Sequence, residues 1–456
     1  MAVWSESTLA ETLMNRRIDS EFFRPSHLYA EQQTRKCNTA DLGRLGRFIP
    51  GPFGSAFHVK NYDVQSCYRY LRGRDIKPFF ILDDDNRYIP EEDFKRLQDY
   101  AIQPNDLMIS VVGTLGNVAV CTPNETPAIF SCKSTLFRSQ EIDPYYLLAF
   151  LNCNQGQLCL LRRQRGAVQT GLNMEDLKTI PIPRFGSKVE SEIASSIYLA
   201  YKALLESKEQ YTKAQHLVES ELGLDKLNFK KPVGYTARFS EVISNDRLDA
   251  DFYQKKYKQL DAIAVKFTIK KVKEISEKLE TGIYSQSYSS EGINYLRGVD
   301  INKGFINSES ILKTNPLLTN RNTTVVKDDI LVTRVGSIGV CAIIEDDHSG
   351  SLFSDNLIRI RLLEKAKEEI SASYLNLLLN TTYGQMQMVR YSRGSVQQRL
   401  NQTQLAQIPI PIIKRESQRK IKNLLDEHRN AKRESQKLIN QAKTRVEQLI
   451  EEVAQR

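Results

Sequence analysis

The sequence is poor in the residues that build metal centres and disulfide frameworks. Its 456 residues include five His and seven Cys, and the cysteines show neither C-x-x-C nor paired Cys/His spacing. We therefore expect no structural zinc site and no disulfides, as is usual in a reducing compartment. No apolar run approaches the roughly 18 residues of a membrane span, and the charged N-terminus lacks the apolar stretch of a signal peptide. These absences predict a cytoplasmic protein.

Two motifs of nucleotide and group-transfer chemistry are also missing. There is no G-x-x-x-x-G-K-S/T phosphate loop and no D/N/S-P-P-Y/F/W tetrapeptide, with which amino-methyltransferases hold a target amine. The acidic run 83–85 lacks partner carboxylates at metal-binding spacing and is interpreted as a solvated loop. The sequence thus predicts a non-catalytic chain that binds no metal and no cofactor. A formal net charge of +9 is compatible with a nucleic-acid partner but does not establish one.

What the chain does contain is an internal repeat. Five blocks recur in the same order at an offset of 223 to 230 residues, whereas the stretches 77–100 and 302–325 between them share no obvious residues. A shared frame with different inserts predicts two copies of one scaffold that recognise different things. The paired blocks are 17–23 with 247–253, 70–76 with 295–301, 106–120 with 329–343, 165–169 with 393–397, and 180–183 with 408–411.

Each repeat begins with a mixed, mostly β region. VVGTLGNVAV and RVGSIGVCAI place two glycines between β-branched residues, which predicts a β-hairpin with a tight glycine turn. The G-x-x-G spacing also occurs in KH-type RNA clamps, but the β-branched flanks oppose the helical context that such a clamp needs. The two Ile-Pro-Ile-Pro blocks predict extended backbone at the end of each globular region.

A long helical pattern follows each globular region, and its apolar residues alternate by four and three. Such spacing is typical of a coiled-coil seam, so we expect the two helices to pair. Ser207, His428, Lys432 and Ser435 interrupt the seams, which favours a solvated, loosely packed stretch; the alternative is that they fix the register of the pair. The seam residues assigned to the spacer helices and to partner docking are Ile193, Ile197, Leu204, Val218, Ile421, Leu425, Ile439, Val446 and Leu449.

The helix length limits what the repeats could do together. A helix over 188–222 would be ~52 Å long at ~1.5 Å per residue. An antiparallel pair would hold the globular regions at opposite ends of a rod, facing one side. DNA half-sites one turn apart are ~34 Å from centre to centre, which such a rod could span.

Together the repeated blocks resemble those of Type I restriction–modification specificity subunits, over essentially the whole chain. The resemblance includes Gly54-Ser55-Ala56-Phe57 with Tyr62, the two Tyr-Leu-Arg-Gly-x-Asp-Ile segments and the Gly-x-x-Gly, Arg-Gly-x-Val-Gln and Ile-Pro-Ile-Pro elements. It implies an α+β fold of two tandem mixed α/β target-recognition domains, each followed by a long helix, the helices pairing as an antiparallel coiled coil. The expected boundaries are 1–186 for the first domain with its lead-in segment 1–40, 187–225 for a helix, 226–240 for a linker, 241–414 for the second domain and 415–456 for the second helix.

The resemblance also implies a function. Each domain would read one half of an asymmetric, bipartite site on double-stranded DNA, and the helices would set the spacer and dock two modification subunits. Those partners would carry the S-adenosylmethionine site and methylate adenine, while motor subunits would supply ATP-driven restriction. Segment 17–23 also resembles specificity partners of related Type II systems, which stay an alternative. A tandem architectural protein or repressor without a methyltransferase, and a protein-interaction scaffold, are further alternatives.

Candidate DNA contacts follow from side-chain chemistry. Arg and Lys suit guanine and phosphate, and Asn and Gln suit adenine. Gln286 is expected to read one base pair of the second half-site, at ~1–3 kcal/mol per mismatched pair. The candidates are Ser55, His58, Lys60, Tyr62, Arg72, Arg74 and Lys77 in the first domain, and Tyr284, Ser285, Gln286, Tyr288, Arg297, Asn302 and Lys303 in the second.

The shared frame limits some of these candidates, because residues common to both repeats are poorly suited to read different bases. Arg72 and Arg297 are therefore assigned either to phosphate contact or to a buried ion pair with Asp75 and Asp300. Gln169 and Gln397 are also shared, and a structural hydrogen bond is expected of them. Lys60, Arg74 and Lys77, with Gln286, Tyr288 and Asn302, are the preferred specificity residues.

Overall fold

A computed structural model describes residues 6–52, 54–166, 170–227, 236–245, 247–285, 287–289, 291–308, 311–315, 323–394 and 398–455. The chain divides into two units. Unit 1 comprises Met1–Leu205 with Ala431–Arg456, and unit 2 comprises Glu206–Asn430. Each unit therefore contains one globular region and parts of both long helices.

Unit 1 is built on a five-stranded sheet with the order β2-β9-β6-β7-β4 and a three-stranded sheet with the order β5-β3-β8. The pairs are antiparallel except for β4 with β7 and β3 with β8. The strands are β1 (Thr39–Asp41), β2 (Gly46–Pro50), β3 (Tyr68–Leu71), β4 (Phe79–Phe80), β5 (Tyr88–Ile89), β6 (Leu107–Ser110), β7 (Val118–Val120), β8 (Ala128–Phe130), β9 (Ser134–Ser139), β10 (Gln164–Arg165), β11 (Gly171–Leu172) and β12 (Pro181–Pro183). The helices are α1 (Leu9–Asn15), α2 (Pro25–Lys36), α3 (Glu91–Arg96), α4 (Pro144–Asn152), α5 (Asn154–Leu161), α6 (Met174–Leu177) and the start of α7 (Ser187–Leu222).

Unit 2 repeats this plan with a four-stranded sheet β14-β22-β19-β20 and a three-stranded sheet β18-β15-β21. In the smaller sheet β15 pairs antiparallel with β18 and parallel with β21, as β3 does with β5 and β8. The strands are β13 (Thr268–Lys271), β14 (Glu280–Thr281), β15 (Ile293–Leu296), β16 (Ile301–Asn302), β17 (Phe305–Ile306), β18 (Leu312–Thr314), β19 (Ile330–Thr333), β20 (Cys341–Ile343), β21 (Leu352–Phe353), β22 (Leu357–Ile360) and β23 (Pro409–Ile412). The helices are α8 (Phe239–Asn245), α9 (Lys255–Ala264), α10 (Val272–Ile275), α11 (Glu364–Lys367), α12 (Ala372–Asn380), α13 (Thr382–Tyr391), α14 (Gln402–Leu405) and α15 (Arg415–Ala454).

The predicted hairpins are confirmed, but their connections are longer than tight turns. β6 pairs antiparallel with β7, and β19 with β20. The connections 111–117 and 334–340 each hold both glycines of their block at positive φ, between 71° and 90°. Left-handed backbone favours glycine at these positions because a side chain strains this conformation, and at Gly339 an added Cβ would also lie 2.5 Å from the sulfur of Met388. The glycines therefore shape a seven-residue loop rather than a two-residue turn.

The Ile-Pro-Ile-Pro blocks are extended, as predicted, and they pair with the beginning of their own globular region. β12 pairs antiparallel with β1, and β23 with β13. Tyr146 donates a hydrogen bond to the Pro183 carbonyl at 2.6 Å, and Tyr374 donates one to the Pro411 carbonyl at 2.7 Å. Matching contacts at matching positions show that the sequence repeat is a structural repeat.

The lead-in segments show the same correspondence. The buried Arg17 side chain makes two 2.8 Å hydrogen bonds to Asp19, and Arg247 makes two 2.6 Å bonds to Asp249. Both arginines also donate to backbone carbonyls at the C-terminal ends of α5 and α13, at 163–164 and 391–392. Each lead-in is thereby fastened to its own unit.

The long helices pair antiparallel. In unit 2, Glu221 of α7 accepts a 2.7 Å hydrogen bond from Ser417 of α15, and Ser207 of α7 lies 2.9 Å from Nδ1 of His428 of α15. Residue numbers therefore decrease along α7 as they increase along α15, as in an antiparallel pair. In unit 1, Ile193, Ile197 and Ala200 share an apolar core with α15 residues that include Ile439 and Val446.

The polar seam residues correct one expectation. Ser207, His428 and Ser435 are buried rather than solvated, and the imidazole of His428 contacts both the hydroxyl and the carbonyl oxygen of Ser207, at 2.9 and 2.8 Å. The two polar groups satisfy each other, so their burial costs little and only one alignment of the helices preserves the contact. Lys432 is half-buried. The loosely packed interpretation is wrong for the three buried residues.

None of the helices in the described part of the chain combines the length and apolar character needed to cross a lipid bilayer. All seven cysteines are free thiols in this structure. Within the described ranges no group of three or more His, Cys, Asp or Glu side chains could hold a metal ion.

Candidate nucleic-acid interface

The candidate DNA-facing loop of unit 1, residues 54–62, is held from inside by aromatic rings. The ring centroids of Phe57, Tyr62 and Tyr70 lie 5.0 to 5.9 Å apart. Between these anchors Ser55, His58 and Lys60 are exposed. Because burial of the rings fixes the backbone, the polar residues between them are presented to solvent.

Unit 2 carries a counterpart of this aromatic support. The rings of Tyr288 and Tyr295 lie 5.9 Å apart, the same separation as those of Tyr62 and Tyr70. Tyr288 and Tyr284 are nevertheless 46% and 68% exposed, so much of each ring faces solvent. Asn302 and Lys303 are also exposed. The pair Tyr62 and Tyr288 belongs to the repeated frame, which sequence comparison of the blocks did not reveal.

Two candidates of unit 2 stand apart. Ser285 is buried, and its hydroxyl lies 2.9 Å from that of Thr314, so the side chain serves an internal hydrogen bond in this structure. Gln286 lies outside the described residues, as do Gln169 and Gln397 of the shared frame. The DNA contacts expected of these residues stay predictions.

The shared arginines form the ion pairs that were one of their two expected roles. Arg72 donates to Asp75 from its backbone N–H and from Nε and Nη2, at 2.8 to 2.9 Å. Arg297 repeats the arrangement with Asp300 at 2.8 to 3.1 Å. Both carboxylates are buried, and the hydrogen bond to Asp75 raises the pKa of Arg72. These pairs close the turn after β3 and β15; a phosphate contact stays a prediction.

Arg74 and Lys77 are exposed beside a feature that sequence reasoning missed. Asp85 lies within ion-pair distance of Arg72, Arg74 and Arg87, and we call these four residues the Asp85 cluster. The guanidinium of Arg87 lies 5.9 Å from the ring centre of Tyr62, which joins the cluster to the 54–62 loop. Residues 83–85 are exposed, as the solvated-loop interpretation predicted, but Asp85 also forms ion pairs that this interpretation did not include. The signal of the cluster in the sequence was the placement of arginines at 72, 74 and 87 on either side of the acidic run 83–85.

The seam residues assigned to the spacer helices lie inside the chain. Eight of the nine are buried and Leu204 is half-buried. Their apolar side chains hold the helices together, so a partner would meet other faces of α7 and α15. In unit 1 a groove of about 870 Å³ runs between the helices and is lined partly by Arg433, Lys437 and Arg445.

Two like-built units with different polar surfaces define a tandem recognition protein. Residues 264–444 match the family model described as the Type I restriction modification DNA specificity domain. This part of the chain is therefore similar to that domain, which agrees with the resemblance inferred from the repeated blocks. The match supports a role in DNA sequence specificity.

Solved structures of such subunits are similar to this chain at low identity. The S subunit of a Type I restriction–modification system from M. genitalium is 14% identical, with 91% of this chain and 95% of that chain covered and a TM-score of 0.44. The HsdS subunit from Thermoanaerobacter tengcongensis is 13% identical, with 91% and 96% covered and a TM-score of 0.27. A chain from a study of type I R-M assembly and conformational transition is 12% identical, with 91% and 97% covered and a TM-score of 0.28. No curated protein sequence matches this chain.

Proposed function

We propose that this chain recognises a bipartite, asymmetric DNA site, one half-site per repeat, and recruits adenine methyltransferase subunits to it. The observation that carries the proposal is a frame kept in both units around inserts that differ. The Arg–Asp turn, the glycine hairpin and the tyrosine-to-proline contact recur, whereas the exposed residues between them change. Like frames suit the uniform DNA backbone, and unlike inserts suit two different base sequences.

The partners follow from the same proposal. S-adenosylmethionine and ATP would bind to the modification and restriction subunits, and this chain would supply only recognition. Modification subunits would dock on faces of α7 and α15 that the seam leaves uncovered, and the complex would act in the cytoplasm. A Type II-like system with the same specificity chain is the nearest alternative.

The test is co-expression with the adenine methyltransferase of the same cell, followed by mapping of methylated adenines in cellular DNA. The expected result is one split motif with an unread spacer of fixed length. A matched variant carries changes in exposed residues of unit 2 outside the repeated frame, Tyr284, Asn302 and Lys303, and should alter one half of the motif only. DNA binding without co-purifying methyltransferase would indicate the repressor alternative, and absence of salt-dependent DNA binding would indicate a protein scaffold.

A further inference from the structure

The Asp85 cluster gives its three arginines different freedom. Arg72 donates to the carboxylates of Asp75 and Asp85, and its Nη2 also donates to the Asp85 carbonyl at 2.7 Å. Its side chain is only 17% exposed, so its donors serve the protein. Arg87 contacts Asp85 at 2.6 Å and is 40% exposed, and Arg74 contacts it at 3.8 Å and is 63% exposed. At 3.8 Å the contact is electrostatic and too long for a hydrogen bond, so Asp85 does not occupy the hydrogen-bond donors of Arg74.

The position of Asp85 is fixed by the backbone as well as by charge. Its φ is 51°, in the left-handed region that non-glycine residues rarely adopt. Such a conformation persists where the surroundings impose it, and here Arg72 holds both the carbonyl and the carboxylate. The neighbouring arginines also lower the pKa of Asp85, so it stays ionised. Asp85 is thus a fixed anion against which two exposed guanidinium groups are aligned.

The cluster belongs to the part of unit 1 that differs from unit 2. Val299 occupies the place of Arg74 in the repeated Tyr-Leu-Arg-Gly-x-Asp-Ile segment and is itself 73% exposed. Asp85 and Arg87 lie in the divergent insert 77–100. A feature of the frame would serve both half-sites alike, whereas this one can distinguish only what unit 1 meets.

Guanidinium chemistry then selects the ligand. An arginine fork matches the O6 and N7 acceptors of guanine in the major groove, the commonest specific contact to a base. A carboxylate behind the fork restrains its rotamers before DNA arrives, so less entropy is lost on binding. Phosphate also accepts a bidentate contact from arginine, but the phosphate backbone is the same in both half-sites, whereas the Asp85 cluster belongs to the part of unit 1 that differs from unit 2.

We propose that Arg74 and Arg87 read guanine in the half-site recognised by unit 1, and that Asp85 is the positioning residue that aligns them. This inference rests on the proposed function, and it adds which base the first half-site contains and which residues read it. It also adds that unit 2, with Val299, reads its half-site by other means.

Arg74→Lys and Arg87→Lys are the decisive variants, because each keeps the charge and removes the fork. With the full chain and its methyltransferase, methylated adenines are mapped, and binding is measured on duplexes in which 7-deazaguanine replaces each guanine of the first half-site in turn. The wild type should lose about 5- to 150-fold in affinity at one guanine. The variants should bind both duplexes alike, with unchanged salt dependence. Asp85→Asn should reduce the same discrimination.

Recognition of the second half-site is the internal control and should not change in the variants. The matched control variant is Arg44→Lys, at an exposed arginine outside the cluster, and its discrimination at the first half-site should equal that of the wild type. Variants that weaken binding equally on every sequence would assign the arginines to phosphate and overturn the inference. A first half-site whose guanines tolerate 7-deaza substitution would also overturn the inference. Full discrimination in the Asp85→Asn variant would overturn the positioning role of Asp85. If no bipartite motif emerges for the wild type, the proposed function itself fails, which is a distinguishable result.

Discussion

Replacing Glu31 by Gln should destabilise unit 1 far more than the equivalent change destabilises unit 2. Glu31, on α2, is buried, accepts hydrogen bonds from Arg163, and forms an ion pair with Arg162 at 2.6 Å. The corresponding residue 230 positions later, Asp261, forms an ion pair with Arg390 at 2.7 Å, and its side chain is 46% exposed. The two sites thus compare a buried ion pair with an exposed one in the same scaffold.

The structure gives the size of the effect. Burial alone would raise the pKa of Glu31, but hydrogen bonds and the charges of Arg163 and Arg162 outweigh it and lower the pKa from 4.5 to about 2. That difference corresponds to on the order of 3 kcal/mol of stability. Because the folded-state pKa is the lower one, this stabilisation is complete above pH 4.5 and is lost as the pH falls toward 2. At neutral pH, Glu31→Gln also leaves two buried arginines without their anion, at a cost of about 3–5 kcal/mol.

Hydrogen exchange measured by mass spectrometry at neutral pH reports each unit separately. Glu31→Gln should lower the protection of α2 and α5, whereas Asp261→Asn, at about 0–1 kcal/mol, should leave α9 and α13 nearly unchanged. The free energy of unfolding measured in urea should decrease between pH 4.5 and 2 more steeply for the wild type than for the Glu31→Gln variant. Equal losses of protection in the two variants, or identical pH profiles, would refute the reasoning.

Two further predictions concern the helix pair and the thiols. Ser207→Ala removes the hydroxyl that lies 2.9 Å from Nδ1 of His428 and should cost about 1 kcal/mol, seen as faster exchange in the middle of α7 and α15; an unchanged rate would show that the contact does not stabilise the register. In the native protein at pH 8, maleimide should label the exposed Cys67 and Cys132. Burial raises the pKa of Cys153 to about 12 and should protect this thiol until the protein unfolds. Labelling of Cys153 in the native protein, detected by peptide mass spectrometry, would contradict this prediction.

Much of the fold could be predicted because its signals are local or repeated. The glycine hairpins, the extended proline blocks and the seams of α7 and α15 each follow from spacing within a short segment. The Arg–Asp turn pairs were also within reach, since Arg72 and Asp75 are three residues apart. The polar seam was misjudged because a single sequence does not show that Ser207 and His428, 221 residues apart, meet and satisfy each other.

The sequence alone determined that the chain is a duplicated scaffold with two different inserts, because a repeat is visible without knowing any distance. Which polar residues bind one another and which face solvent was decided by the tertiary structure. Asp85, whose own backbone is left-handed, lies within ion-pair distance of Arg72, Arg74 and Arg87 only in the folded chain. Ser285 resembles a surface contact in the sequence, but packing buries it against Thr314. Charge and hydrogen bonding depend on distances in space, and those exist only once the strands are paired.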